Sequence, residues 1–523
     1  MSGLPLLAAL LLGAAPPTPS ATATAAAAGV TTAQLAAGET AKECALLDCD
    51  GDGRADLAIV GRARASGKRF VTLFRTGERG FERRQTVELP PDVSAWAVGD
   101  VHPDAGDEVV LFTARGAYAW RPAAEAADRF AKLLEAEFLW QLPEDDRAFL
   151  WDAGVADLDG DGLDDLLVPE AGAYVLAFQS RDEHGAAFHT TTLRVPEDPT
   201  APGTWLSAAP ENRGWRGSRS SGELRLTIGV DAGVDEAGSL PSTLLEVRET
   251  VPAPQLVDWD GDGDLDLLAQ TARELHVWRQ EPARTFAAQP SLSLPLPVPA
   301  DRDRKLDASY SAHALDFSGD RRADCAILAG DRRSDSVRTQ GLFFVQDPQA
   351  KGHPLFGDKG RPQDLLVFAG FVADVDFVDI DSDGLRDLVV ASVRPDLLDQ
   401  LRSVSSESLD ADIHAYLNNG GHFSRRPDLS WRLTFKLRQF DLTARFIGDV
   451  NGDGLSELLV RDRPEHLRLL MMRRGRDGFE LIDRALWELD VDPDARILLV
   501  RRQQGDPDVL ILEAGQVLAV RLP

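Results

Sequence analysis

The sequence predicts an all-β fold, a β-propeller of seven or eight four-stranded blades with eight favoured. Three observations predict it. An Asp-rich loop recurs along the chain, short apolar runs flank it on both sides, and tight-turn signals follow in several repeats.

The loop comes first. Asp48-Cys49-Asp50-Gly51-Asp52-Gly53-Arg54-Ala55-Asp56-Leu57 returns at Asp157 to Leu166, Asp258 to Leu267, Asp379 to Leu388 and Asp449 to Leu458. Worn copies start at Asp100 and Asp316, and a faint last copy ends in Gly505-Asp506-Pro507-Asp508. The first Asp falls at 48, 100, 157, 258, 316, 379 and 449, so the step from 157 to 258 is nearly double its neighbours. The stretch 197–251 inside that step has no Asp loop and is rich in Gly, Ser and Pro. It reads as an insertion rather than a lost repeat. Seven loops plus the faint copy give eight blades, with an N-terminal strand completing the last one.

The flanks read as strands. Trp96-Ala97-Val98-Gly99 precedes one loop and Leu388-Val389-Val390 follows another; runs this short, bounded by Gly and Asp, have strand length. The loops therefore join the first and second strands of each blade. Leu470-Met471-Met472 before Arg476-Asp477-Gly478-Phe479, and Tyr416 to Phe423 around Asn419-Gly420, supply hairpin signals for the outer strands. Two segments depart from this pattern. Leu397, Leu398, Leu401 and Val404 predict a packing helix within 395–412, and 123–142 reads as another.

Counting from the first Asp as position 1, carboxylates recur at positions 1, 3, 5 and 9. The sets are Asp48, Asp50, Asp52, Asp56; Asp157, Asp159, Asp161, Asp165; Asp258, Asp260, Asp262, Asp266; and Asp379, Asp381, Asp383, Asp387. The fifth is Asp449, Asn451, Asp453, Glu457. Four acids crowded into nine residues repel one another unless a cation lies among them. Calcium takes six to eight oxygen ligands, and a tightly wound loop delivers them, with Gly at position 6 easing the turn. About five calcium sites are expected. An EF-hand is rejected, because its Glu at position 12 is replaced here by Ile59, Val168, Ala269, Val390 and Val460. The loops at Asp100 and Asp316 lack the Gly at position 6 and a full ligand set, and are expected to be metal-free turns.

This pattern resembles the FG-GAP/VCBS repeat family, the propeller repeats of integrin α-chain heads and some fungal lectins. The resemblance spans roughly residues 44–520 and implies a calcium-binding propeller.

The charge balance agrees. Lys+Arg 56 against Asp+Glu 85 gives −29, which argues against nucleic acid or an anionic membrane as partner and favours cations. Five divalent cations add +10 and bring the charge to −19. Residues 1–28 read as a signal peptide, with an apolar run at Leu4–Ala15 too short to span a bilayer. No later segment has transmembrane length. The expected location is secreted, periplasmic or cell-surface, with the propeller filling 29–523. Of the three cysteines, Cys44 and Cys49 read as buried small apolar residues rather than a disulfide.

No catalytic motif is present: His-Glu-x-x-His, Gly-x-Ser-x-Gly, a Walker loop and Cys-x-x-Cys are all absent. The expected function is a non-catalytic binding or adhesion module for a glycan or an extracellular protein. The alternative is a polysaccharide lyase on a calcium-rich propeller. Trp205, Arg213, Trp215 and Arg216, in the insertion, have the chemistry to stack on a sugar or grip a protein. The plainer reading tucks both tryptophans against a blade.

Overall fold

The computed structural model describes residues 29–522 apart from short turns and the segments 122–128, 137–147, 197–221, 230–243, 297–308, 332–337, 351–354, 356–360, 394–407, 437–443 and 501–507. The expected signal peptide lies outside the described residues, as do Trp205, Arg213, Trp215 and Arg216.

Eight four-stranded antiparallel blades form, and the choice between seven and eight is settled at eight. Blade 1 is typical, with strands Glu39–Leu47, Asp56–Ala63, Arg69–Gly77 and Gly80–Glu88 in spatial order. The second strand of each blade reads as a continuous apolar run because neighbouring blades cover both its faces: Asp387–Val393 is buried along its whole length. First strands of adjacent blades touch, as Glu39–Leu47 does Val93–Gly99, so they line the axis. Blade 2 gains a short parallel partner, Phe149–Leu150, on its first strand.

The core is divided among the blade interfaces. Leu47, Val60 and Trp96 pack between blades 1 and 2; Trp259, Leu275 and Ile327 between 4 and 5; Leu469, Trp487 and Ile511 between 7 and 8. Cys44, Leu57, Leu510 and Ala519 close the interface between blades 8 and 1. The ring is fastened there by Gly29–Gln34, which pairs antiparallel with Gln516–Arg521 as the outermost strand of blade 8.

Within the long step, Gly222–Gly229 pairs with Leu244–Val251 as a hairpin separate from the blades. Blades 3 and 4 remain neighbours, since Gln280 Nε2 donates to the Leu158 carbonyl at 2.6 Å. In an antiparallel meander the first-to-second and third-to-fourth connections open on one face, and the blade-to-blade connections on the other. All the Asp loops therefore share one face. The insertion leaves Gly185–Arg194 and returns at Pro254–Val257, on the opposite face.

Two expectations need correction. Ser408–Tyr416 is the third strand of blade 6, not the end of a helix, and Phe130–Leu134 is the fourth strand of blade 2. Over 408–412 and 130–134 pairing with a neighbouring strand sets the backbone, while Leu397, Leu398, Leu401 and Val404, whose spacing carried the first expectation, lie outside the described residues. The remainder of both segments, 394–407 and most of 123–142, lies outside the described residues. The three cysteines are free, yet only Cys44 and Cys325 are buried. Cys49 is half-exposed, and its thiol donates to Asp56 Oδ2 at 2.8 Å.

Candidate metal centres

Local hydrogen bonding explains why the loop sequence folds as it does. The position-1 carboxylate accepts the N–H of position 6 in every intact loop: Gly53 at 2.7 Å, Gly162 at 2.9 Å, Gly263 at 3.0 Å, Gly384 at 3.0 Å and Gly454 at 2.8 Å. The position-5 carboxylate accepts the N–H of position 7, as in Asp161 with Leu163 at 2.8 Å. These bonds wind the chain tightly enough to require a left-handed backbone at positions 4 and 6.

Two residues accept that conformation without being glycine. Ser382, at position 4, has φ 59°, and Arg321, at position 6 of the worn loop, has φ 72°. Ser382→Gly and Arg321→Gly are each expected to raise the unfolding free energy by about 0.5–1 kcal/mol, because strain relief exceeds the added freedom of the unfolded chain. Denaturant melts read this directly, and midpoints that stay put or fall refute it.

Position 9 is the most buried. Asp56, Asp165, Asp266, Asp387 and Glu457 are at most 1% exposed. One oxygen of each takes the position-2 N–H, for example Leu158 to Asp165 at 2.9 Å and Ile380 to Asp387 at 2.8 Å. In four of them the other oxygen takes a backbone N–H from past the second strand: Thr76 at 2.6 Å, and Gln179, Gln280 and Asn418 at 2.7 Å. The acid therefore bolts its loop to the blade. Burial pushes the carboxyls of Asp165 and Asp387 up to about 7, and those of Asp266 and Glu457 to about 6. Nearby loop carboxylates raise them further while the backbone donors pull down.

Five groups bring three ligand atoms within 4.8 Å of one another: Asp48, Asp50, Asp56; Asp157, Asp159, Asp165; Asp258, Asp260, Asp262; Asp379, Asp381, Asp387; and Asp449, Asp453, Glu457. These five clusters could hold metal ions. The groups leave out several expected ligands. Asp52 is turned to Arg54 at 2.5 Å and Arg75 at 3.2 Å, and Asp266 stays outside its group although its oxygens take the same two backbone donors as those of Asp165 and Asp387. Asp161 and Asp383 cap their own turns, as Asp262 and Asp453 also do from within their groups, and Asn451 donates to Asp453 at 3.1 Å.

Position 3 repeats one arrangement in three blades. Asp50 Oδ1, Asp260 Oδ1 and Asp381 Oδ1 are buried without a hydrogen-bond partner. An anionic oxygen left in that state costs several kcal/mol unless a positive charge meets it. The second oxygen of each faces an arginine: Arg75 at 2.5 Å, Arg279 at 3.1 Å and Arg474 at 3.7 Å. Such an arrangement, an acid oxygen without a donor beside an arginine-paired one, is compatible with a metal ion at these clusters.

The worn loop at 316 keeps the position-9 bonds of the intact loops and adds one from Ser318, while Asp100 of the other worn loop pairs with an arginine. Asp324 accepts from Phe317 at 3.1 Å, Ser318 at 2.7 Å and Gln346 at 2.9 Å, all backbone donors, and Asp100 Oδ1 is paired with Arg181 at 2.5 Å.

Sequence reading missed a set of amides. Gln179, Gln280, Gln346 and Asn418 lie near the ends of the third strands of blades 3 to 6 or just past them and reach across to the preceding loop. Their recurrence some twenty to forty residues after each first Asp was the available signal.

No family model and no curated protein matches the chain. Among solved structures, a lectin of Agrocybe aegerita described as recognising non-reducing terminal N-acetylglucosamine shares 14% identity over 94% of this chain and 98% of its own, with a TM-score of 0.37. The exotype rhamnogalacturonan lyase YesX shares 12% identity over 94% of this chain and 76% of its own, with a TM-score of 0.42. Sqt1 from Chaetomium thermophilum shares 8% over 95% and 100%, with a TM-score of 0.39. Likenesses this remote carry no inference about ligand or activity.

Proposed function

We propose that this chain is an exported propeller of FG-GAP/VCBS-type repeats, stabilised by calcium, that binds a glycan or an extracellular protein without transforming it. The division between the two faces carries this reading. Every acidic loop opens on one face and is bolted into its blade by a buried position-9 acid, which is the arrangement of a scaffold. The long insertion opens on the other face, where it is free to vary without disturbing the ring. Calcium is the cation that suits an all-oxygen set on a small flexible loop; magnesium demands stricter octahedral geometry and holds its water tightly.

Within the insertion, Trp205 and Trp215 would stack on a sugar face or a partner side chain, with Arg213 and Arg216 reading carboxylates or hydroxyls. The test compares the full chain with one in which 197–251 is replaced by a short Gly/Ser linker, on glycan and protein arrays in calcium. Binding is expected to vanish with the insertion while the melting temperature holds. Retained binding would overturn the assignment of the insertion. Unsaturated products from a polysaccharide panel would overturn the non-catalytic reading.

A further inference from the structure

Amides near or just past the ends of the third strands connect the Asp loops to one another. Gln179, Gln280, Gln346 and Asn418 each donate a backbone N–H to the position-9 acid of their own loop, at 2.7, 2.7, 2.9 and 2.7 Å. Each side-chain amide also donates to the position-8 carbonyl of that loop: Asp164 at 2.7 Å, Leu265 at 3.2 Å, Ala323 at 3.1 Å and Arg386 at 3.0 Å. A second donation crosses to the preceding blade. Gln179 reaches the Asp100 carbonyl at 2.9 Å, Gln280 that of Leu158 at 2.6 Å, Gln346 that of Trp259 at 3.0 Å, and Asn418 that of Phe317.

The last three acceptors all sit at position 2. The N–H of the same residue donates to its own loop's position-9 acid: Leu158 to Asp165 at 2.9 Å, Trp259 to Asp266 at 2.9 Å and Phe317 to Asp324 at 3.1 Å. Position 2 lies between the carboxylates of positions 1 and 3. Whatever fixes those carboxylates fixes this residue, and with it an amide already fastened to the next loop.

We propose that these amides couple cation uptake between neighbouring loops, making calcium binding by the loops at 157, 258 and 379 positively cooperative. The proposal rests on the calcium reading above. Ordering one loop removes part of the freedom that the next must lose, so the second cation meets a smaller entropic cost, and the effect is reciprocal. The loop at 316 serves as a relay. It keeps the wound backbone, with Asp316 accepting from Gly319 at 2.7 Å and Arg321 at 2.8 Å, and it is clasped on both sides by Gln346 and Asn418.

The test is calorimetric titration of the chelator-stripped full chain with calcium. Asp260→Asn, which weakens the loop at 258, is expected to lower affinity at the remaining coupled loops about five- to tenfold, beyond the loss of one site. In a Gln280→Met, Gln346→Met background, which keeps volume and backbone N–H but removes the amides, Asp260→Asn should cost one site and nothing else. Hydrogen exchange at the Gly162 and Gly384 N–H groups gives a second readout. Their protection in partial calcium should fall with Asp260→Asn only while the amides are present.

Asp260→Asn leaving all other affinities unchanged would overturn the coupling, as would coupling that survives loss of the amides. Should the methionine variants not fold, the Asp260→Asn comparison in the otherwise unaltered chain still decides. Five independent sites would refute the coupling and spare the calcium reading; no calcium uptake by the unaltered chain would refute that reading itself.

Discussion

Stripping divalent cations from this protein is expected to lower its melting temperature by on the order of 10 °C or more. A ligand present at a hundred times its dissociation constant stabilises the folded state by about 2.7 kcal/mol per site. Five such sites give a term on the order of 10 kcal/mol, comparable to the whole stability of many domains. The physical origin is visible in the loops. Without a cation, each cluster holds three acids whose ligand atoms lie within 4.8 Å, and Asp50, Asp260 and Asp381 each bury an oxygen with no donor. Calcium in excess should restore the melting temperature, and magnesium should restore little of it, because a site of this kind suits a larger, less tightly hydrated ion. A melt that is the same in chelator and in calcium would end the metal reading.

The second large effect concerns closure. Deleting Gly29–Gln34 is expected to destabilise the ring by several kcal/mol, at about 1 kcal/mol for each ladder hydrogen bond lost, and to shift the protein towards self-association. Six residues pair with Gln516–Arg521, and Ala33 is fully buried against the interface between blades 8 and 1. Without this strand, Gln516–Arg521 becomes an open edge in a blade that joins the two ends of the chain. Static light scattering and denaturant melts measure both outcomes. A deletion that melts like the intact chain and stays at the same mass would show that the closure contributes little.

Much of the loop chemistry was legible because it is local. The position-1 acid of the first loop finds its donor five residues away, at Gly53, and the position-5 acid finds one two residues away, at Arg54. Such contacts are written into spacing, so the repeat could be read as a wound acidic turn before any fold was known. The apolar runs after each loop were legible for the same reason: burial on both faces leaves no room for alternation. Of the helix expected within 395–412, only 408–412 is described, and there Ser408–Tyr416 pairs on both sides with strands of blade 6. Local spacing does not register such partners, which lie roughly twenty residues away along the chain.

The acidic loops and their number were thus determined by the sequence alone, since each loop is a short, self-bonded unit. Only the tertiary structure decided how those loops are joined. The amides of Gln280, Gln346 and Asn418 meet carbonyls 122, 87 and 101 residues away, and Gly29 meets Arg521 from the other end of the chain. No spacing rule reaches that far, because those partners are set by closure of the ring.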